Sequence, residues 1–307
     1  MPCYKPVTAF RSPAKINGKY KVLFNTAPAD FLPIQLPCGQ CIGCRLERSR
    51  QWAVRCMHEA QMHQENCFIT LTYSDDQLPN DRSLHKHHFQ KFMKRLRKAI
   101  APKKVRYYMC GEYGDNTKRP HYHACLFGYD PSDKVLYRTR DGINLYSSAG
   151  LEQIWGKGFV TVGDVTFESA AYVARYVTKK ITGQKADALD ELGLKHYEWL
   201  CPITGEITEL QPEYTAMSLK PGIGKTWLDK YDSDVYNHDH VIVNGKKCRP
   251  PRYYDKLLES YDSEKLEELK KSRQEKAVLH EKNNTLDRLM VREKVQNQRF
   301  KQLKRTL

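Results

Sequence analysis

The sequence predicts an α/β (α+β) fold in which a central antiparallel sheet is flanked by helices. Residues 67–73 alternate apolar and polar side chains, as a half-buried strand does. Residues 85–100 repeat apolar side chains at helical spacing. Two further strand-like runs, 105–110 and 122–127, are joined by a polar loop. Strands and helices mixed in this order are typical of a sheet covered by helices.

The same patterns predict the remaining elements. A helix is expected over 45–64, and a loop after residue 127 leads to a strand at 158–165 and a helix at 169–181. Beyond residue 183 the patterns are weaker. There, residues 241–246 predict a hairpin, because the Asn-Gly pair inside them is typical of a two-residue turn.

These elements suggest four segments along the 307 residues. A cysteine-rich N-terminal segment with a helix covers 1–66, and the α/β domain covers 67–183. Residues 184–255 are an accessory region, and 256–307 form a charged helical tail. A coiled coil, a DNA-binding arm and a solvated helix are all open for the tail. We favour the last two, because no heptad repeat is sustained.

The charge of the chain favours a polyanionic partner. Lysine and arginine number 51 against 36 acidic residues, which gives a net charge of +15. Nucleic acid and acidic membrane surfaces both fit this excess. No apolar run approaches the roughly 20 residues that span a bilayer, and the amino end lacks the apolar core of a secretory signal. We therefore expect a cytoplasmic protein with no membrane partner; a merely solvated basic surface is the alternative.

The stretch His121-Tyr122-His123 is the strongest local signal for chemistry. Residues two apart in a strand point to the same face, so both imidazoles can reach one metal ion. Glu112, at the end of the preceding predicted strand, can add a carboxylate. Two imidazoles and one carboxylate leave the open positions that a catalytic metal needs. The alternative is a pair of surface or core histidines.

A second signal lies in the predicted helix at 169–181. Tyr172 and Tyr176 stand four residues apart and share a helix face, and Lys179 or Lys180 follows one turn later. A free phenol has a pKa near 10. It therefore needs a metal or a nearby ammonium group to attack a phosphodiester at neutral pH. The alternative is an amphipathic helix with two buried tyrosines.

Taken together, these stretches resemble a known family. The HUH replication initiators carry counterparts of Phe68–Tyr73, of His121–His123 and of the Tyr172/Tyr176 helix, in this order. The two-tyrosine form resembles the rolling-circle initiators of small single-stranded DNA phages. More narrowly, three short stretches resemble the replication proteins of gokushovirus-type microviruses. They are Cys38–Arg45, Pro120–His123 and Pro221–Gly224.

The resemblance implies three metal ligands, two nucleophiles and one assisting cation. The ligands are Glu112, His121 and His123, the nucleophiles are Tyr172 and Tyr176, and the cation is Lys179, with Lys180 as a near alternative. Mg²⁺ and Mn²⁺ both suit a mixed carboxylate and imidazole site. We expect an endonuclease that nicks the viral origin through a 5′-phosphotyrosine, provides a 3′ hydroxyl and rejoins the displaced strand into a circle.

The expected partners follow from this activity. They are single-stranded and origin DNA, a host DNA polymerase and a host helicase, all in the bacterial cytoplasm. Residues 222–226 do not complete a P-loop, because Leu219 stands where its first glycine belongs. Strand separation is therefore left to the helicase. Arg119 and Arg175 flank the site and are candidate DNA contacts; packing or surface roles are the alternative.

Cys38, Cys41 and Cys44 stand at two-residue spacings that suit metal thiolates, and Cys3 can supply a fourth ligand. A structural Zn²⁺ and redox-silent buried thiols are both open. Two rival functions also remain. A plasmid relaxase or transposase shares the chemistry, whereas a non-catalytic, cysteine-rich DNA-binding or packaging protein needs neither the histidine strand nor the tyrosine helix.

Overall fold

The computed structural model describes residues 3–16, 18–114, 117–140, 142–181 and 183–302, without the side chains of residues 19, 140, 176–179, 184 and 185. The chain divides into two compact units. One runs from the amino end to Arg48 and resumes at Glu267; the other is Ser49–Leu266. No described helix is long and apolar enough to cross a bilayer.

The strands and helices are numbered in chain order. The strands are β1 Val7–Ile16, β2 Lys19–Leu23, β3 Leu32–Leu36, β4 Asn66–Thr72, β5 Arg106–Tyr113, β6 Pro120–Phe127, β7 Val135–Arg140, β8 Ile143–Ser147, β9 Val160–Gly163, β10 Glu198–Leu200, β11 Ile207–Glu209, β12 Tyr214–Met217, β13 Val241–Val243 and β14 Lys246–Cys248. The helices are α1 Ile42–Ala60, α2 Lys86–Ala99, α3 Ala149–Trp155, α4 Phe167–Lys179, α5 Gln184–Asp187, α6 Lys225–His238, α7 Arg252–Tyr261, α8 Ser263–Val278 and α9 Leu286–Gln302.

The larger unit is built on one antiparallel sheet with the strand order β12-β5-β6-β4-β9-β8-β7. Alternate side chains of its central strands enter two separate cores. Met109 and Tyr122 belong to the core that includes α2 and α3. Tyr108 and Cys125 belong to the core that includes α1 and α4. Helices therefore cover both faces of the sheet, and the predicted fold class is confirmed.

Several strands were not predicted, and their exposure explains why. The loop expected before residue 158 contains the β7–β8 hairpin and α3. Val135, Leu136 and Tyr137 of β7 are exposed, so no alternation of apolar and polar side chains marks the strand. The other edge strand, β12, comes from the segment that we interpreted as an accessory region. It pairs with β5, and its four residues show no alternation of buried and exposed side chains.

The smaller unit contains a three-stranded antiparallel sheet with the order β2-β1-β3. The sequence pattern predicts no strand in this region. In β1 only Ala9 and Ser12 are buried, so the period-two signal that identifies a half-buried strand is missing.

The helical character predicted for the C-terminal tail is present in α8 and α9, where Leu266 and Leu289 are buried but Leu286 is exposed.

Glycine is required by the backbone geometry of two turns. The β13–β14 hairpin closes through Asn244 and Gly245, whose φ angles of 50° and 71° are those that a two-residue turn requires. At the turn before α6, the Gly224 N–H donates to the buried Glu59 carboxylate at 2.7 Å. A Cβ atom on Gly224 would lie 2.6 Å from the Tyr254 hydroxyl, so only glycine fits there.

Candidate active site

The predicted ligands meet on the face of the sheet that α1 and α4 cover. Glu112 on β5 is the direct antiparallel partner of His121 on β6, and His123 follows two residues later on the same face. The Nε2 atoms of His121 and His123 lie 2.7 and 3.0 Å from Glu112 Oε1. Glu112 and His123 are buried, whereas His121 is partly exposed. The three side chains thus form one compact group at the edge of the core.

Hydrogen bonds on the far side of each imidazole orient the two rings. His121 Nδ1 lies 3.0 Å from the Arg119 carbonyl oxygen, which can only accept, so Nδ1 carries a proton. His123 Nδ1 lies 2.8 Å from the Thr70 hydroxyl, and the Phe68 ring stacks on His123 with centroids 5.6 Å apart. The arrangement turns both Nε2 atoms towards the carboxylate, as in metal sites whose ligands are held by outer hydrogen bonds.

The donor set fits a divalent cation. The ligand atoms all lie within 4.8 Å of one another. Glu112 Oε2 is buried and has no hydrogen-bond partner among the residues that the structure describes. Burial raises the pKa of Glu112, but hydrogen bonds from His121 and His123 lower it to about 2, so the carboxylate is charged at neutral pH. A buried negative charge facing two imidazole nitrogens is suited to holding a divalent metal ion.

Helix α4 brings a tyrosine to this group. Its start is fixed by reciprocal bonds, in which the Thr166 N–H donates to Ser169 Oγ and the Ser169 N–H donates to Thr166 Oγ1. Val173 is buried against the sheet. On the neighbouring part of the helix surface, the Tyr172 hydroxyl donates to Glu112 Oε1 at 3.0 Å. The phenol oxygen therefore touches the same carboxylate oxygen that both histidines approach.

The other predicted site residues have different surroundings. Tyr176 and Lys179 belong to α4, but their side chains lie outside the described residues. The guanidinium of Arg175 lies 5.9 Å from the centre of the Tyr172 ring. Arg119 forms an ion pair with Asp75 at 2.6 Å and donates to the Tyr73 carbonyl. Its carbonyl oxygen contacts His121 Nδ1, whereas its guanidinium group pairs with Asp75.

Thr70 also contacts the candidate ligands, and this role was not predicted from the sequence. It is the direct partner of His123 in the pairing of β4 with β6. The signal was present, because Thr70 lies in the strand-like run that precedes the histidines and alternates with its buried apolar residues. A hydroxyl at this position holds the ring of a candidate ligand, so we assign Thr70 a positioning role.

We expect Thr70→Val to weaken metal binding by roughly 10- to 100-fold, because valine cannot hold His123 Nδ1. Isothermal titration with Mn²⁺ measures this change, and any metal-dependent activity should return at high Mn²⁺. The matched control is Thr161→Val on the neighbouring strand β9, where Thr161 pairs with Thr70. Equal Mn²⁺ affinities of the two variants would contradict the positioning role.

The predicted cysteine ligands also meet, in the smaller unit. The sulfur atoms of Cys3, Cys38, Cys41 and Cys44 all lie within 4.8 Å of one another. Cys3 and Cys41 are buried, and the other two are half-buried. Burial raises the pKa of the Cys41 thiol, but hydrogen bonds from the main chain of Tyr4 and Cys44 lower it to about 7. The four thiols are able to hold a metal ion.

Comparison with known proteins identifies relatives of this chain. The family model described as replication-associated protein ORF2/G2P matches residues 66–181, which include the candidate ligands and Tyr172. Replication-associated protein VP4 of Bdellovibrio phage phiMH2K is 33% identical over 276 residues, 86% of this chain and 79% of the relative. Replication-associated protein ORF2 of Spiroplasma virus 4 is 32% identical over 281 residues, 84% of this chain and 81% of the relative.

A third relative, replication-associated protein ORF4 of Chlamydia phage 1, is 32% identical over 240 residues, 75% of this chain and 55% of the relative. No solved structure matches the chain. The resemblance to the replication proteins of microviruses is confirmed by relatives that align over most of both chains. The protein belongs to the family of microvirus replication-associated proteins.

Proposed function

We propose that this protein initiates phage DNA replication by nicking the viral origin with a tyrosine and later rejoining the displaced strand into a circle. One observation carries the proposal: the Tyr172 hydroxyl and the Nε2 atoms of His121 and His123 converge on a single carboxylate oxygen of Glu112. The names of the relatives support a role in replication. The convergence supports phosphodiester chemistry as the way in which that role is performed.

In this mechanism Glu112, His121 and His123 would hold Mg²⁺ or Mn²⁺. Once bound by these residues, a divalent cation would supply Lewis-acid stabilisation of charge on the scissile phosphate. Tyr172 provides the nucleophile, and its hydrogen bond to Glu112 Oε1 keeps the phenol oxygen beside the ligand group. The phenol oxygen attacks phosphorus in line. The bond from phosphorus to the 3′ oxygen breaks, which leaves a 5′-phosphotyrosine and a free 3′ hydroxyl.

The second half of the reaction needs a second nucleophile. Tyr176 lies one helical turn beyond Tyr172, and we assign it the cleavage of the origin that one round of synthesis regenerates. The 3′ hydroxyl of the displaced strand then attacks the first phosphotyrosine, and the circle closes. Because each step exchanges one phosphodiester for another, no ATP is required. Lys179 and Arg175 are the candidate cations for stabilising phenolate or phosphate charge on α4.

DNA binding and partners complete the proposal. The net charge of +15 supports a polyanionic substrate, and neutralising phosphates with lysine and arginine makes binding strongly dependent on salt. The free 3′ hydroxyl is a primer for a host DNA polymerase, and a host helicase separates the strands. We place these events in the cytoplasm of the bacterial host, with single-stranded and origin DNA as the substrates.

A nicking assay tests the proposal. Full-length protein is incubated with a 5′-labelled single-stranded oligonucleotide that carries the phage origin, with Mn²⁺ or with EDTA. We expect a shortened labelled strand and a covalent protein–DNA species in Mn²⁺, and neither product in EDTA, because chelation removes the cation from Glu112 and its neighbours. DNA binding itself is expected to survive EDTA. Binding without a nick in Mn²⁺ would contradict the enzymatic function and favour a non-catalytic DNA-binding protein.

A further inference from the structure

The cluster Cys3, Cys38, Cys41 and Cys44 is not used in the reaction proposed above. Its members come from two distant parts of the sequence. Cys3 lies near the amino end, and Cys38 and Cys41 precede α1, whose first turn contains Cys44. The sulfur atoms of Cys3 and Cys38 are 3.8 Å apart. The fold thus places the sulfur of Cys3, near the amino end, beside the three sulfurs of Cys38, Cys41 and Cys44.

Main-chain N–H groups point at these sulfur atoms. The N–H of Cys38 donates to Cys3 Sγ, that of Cys41 donates to Cys38 Sγ, and that of Tyr4 donates to Cys41 Sγ, each at 3.3 Å. Gly39, with a φ of +76°, shapes the turn between Cys38 and Cys41. A neutral thiol is a weak acceptor. Amide donors aimed at several sulfurs are better matched to thiolates, which accept much more strongly.

Several thiolates held this closely cannot persist alone. Like charges within a few ångströms repel strongly in a partly buried site, and burial adds a desolvation cost. A bound cation removes both penalties. Four sulfur ligands favour a soft metal with tetrahedral coordination, and four cysteines are a common ligand set for a closed, structural zinc site. The hard cations proposed for the site at Glu112 prefer oxygen ligands to sulfur.

We propose that Cys3, Cys38, Cys41 and Cys44 bind one zinc ion that fastens the amino end of the chain to the start of α1. Within the same unit, Leu289 of α9 packs against Cys3, Tyr4 and Cys41. The guanidinium of Arg292 lies 5.9 Å from the centre of the Tyr4 ring. The zinc site therefore holds the surface against which α9 packs, and its role is structural.

Metal analysis of the purified full-length protein tests this proposal. The protein is supplied with Zn²⁺ under reducing conditions, and loosely bound metal is removed. We then expect about one zinc per chain by inductively coupled plasma mass spectrometry. Cys41→Ser should lower the zinc content by roughly tenfold or more. Cys248→Ser, which replaces a half-buried cysteine in the other unit, should keep it. His121→Ala should keep it as well, which separates this site from the one at Glu112.

If Cys41→Ser fails to fold, the absorption spectrum of Co²⁺ bound to the wild-type chain tests the same site. Co²⁺ bound by the wild-type chain should give the thiolate charge-transfer absorption of a tetrahedral four-sulfur site. Cys3→Ser, placed beside the chain end, should weaken that absorption. Removal of zinc should also accelerate hydrogen exchange of the Arg45 amide, which bonds to the Cys41 carbonyl at 3.0 Å, but not that of amides in β6.

Three results would overturn the zinc site. The first is a wild-type chain that takes up no zinc, the second is iron in its place, and the third is a Cys41→Ser chain with unchanged zinc content. None of these results depends on nicking. The zinc site and the proposed function can therefore fail separately.

Discussion

Replacing Tyr172 with phenylalanine is expected to lower the rate of nicking and of covalent adduct formation by roughly 10³-fold or more. Phenylalanine preserves the ring that packs beside His123, where the two ring centres are 5.1 Å apart. It removes only the oxygen that contacts Glu112 Oε1. Single-turnover assays with a labelled origin oligonucleotide measure the change. Mn²⁺ affinity and DNA affinity should remain close to those of the wild type.

The matched control for this substitution is Tyr146→Phe. Tyr146 is a half-buried tyrosine on β8 of the same sheet, and it packs against the core that includes α2 and α3. The Tyr146→Phe variant should nick the origin oligonucleotide at the wild-type rate. If Tyr172→Phe also forms the adduct at the wild-type rate, Tyr172 is not the first nucleophile, and the assignment of its contact with Glu112 to catalysis is wrong.

Replacing Glu112 with glutamine is expected to reduce nicking by at least roughly 100-fold and to weaken Mn²⁺ binding strongly. The carboxylate is the shared neighbour of His121, His123 and Tyr172. An amide is neutral and carries an NH₂ group, so it cannot offer two charged oxygens to a cation. The rate is measured over a range of Mn²⁺ concentrations, and Mn²⁺ affinity is measured by titration without DNA.

Glu213→Gln provides the comparison, since Glu213 is also a buried carboxylate but bonds to Tyr197 and lies outside the ligand group. We expect it to leave the metal requirement unchanged. Circular dichroism of both variants controls for folding. A folded Glu112→Gln chain that binds Mn²⁺ and nicks as the wild type does would rule out Glu112 as a metal ligand.

Much of the central sheet and the grouping of the candidate ligands were predictable because both depend on local periodicity. The strands with a buried face, β4, β5 and β6, carry strong apolar patterns, so their existence and order could be predicted. The spacing of His121 and His123 then placed both imidazoles on one face. The pairing of β5 with β6 sets Glu112 directly opposite His121.

Other features depend on contacts that have no local signature. The β7–β8 hairpin and the sheet of β1, β2 and β3 are largely exposed, so main-chain pairing stabilises them without an apolar pattern. The bond between Tyr172 and Glu112 joins residues 60 positions apart. The packing of α4 that brings the Tyr172 hydroxyl to Glu112 could not be predicted from the helix pattern alone.

Peptide mapping of the covalent protein–DNA species identifies the residue that attacks the DNA. Wild-type protein is allowed to react once with the origin oligonucleotide in Mn²⁺, then digested with protease and nuclease and sequenced by mass spectrometry. We predict a nucleotide linked through its 5′ phosphate to Tyr172, and no linked peptide when EDTA is present from the start. A nucleotide linked to a residue outside α4, or an equal yield in EDTA, would contradict the metal-assisted tyrosine mechanism.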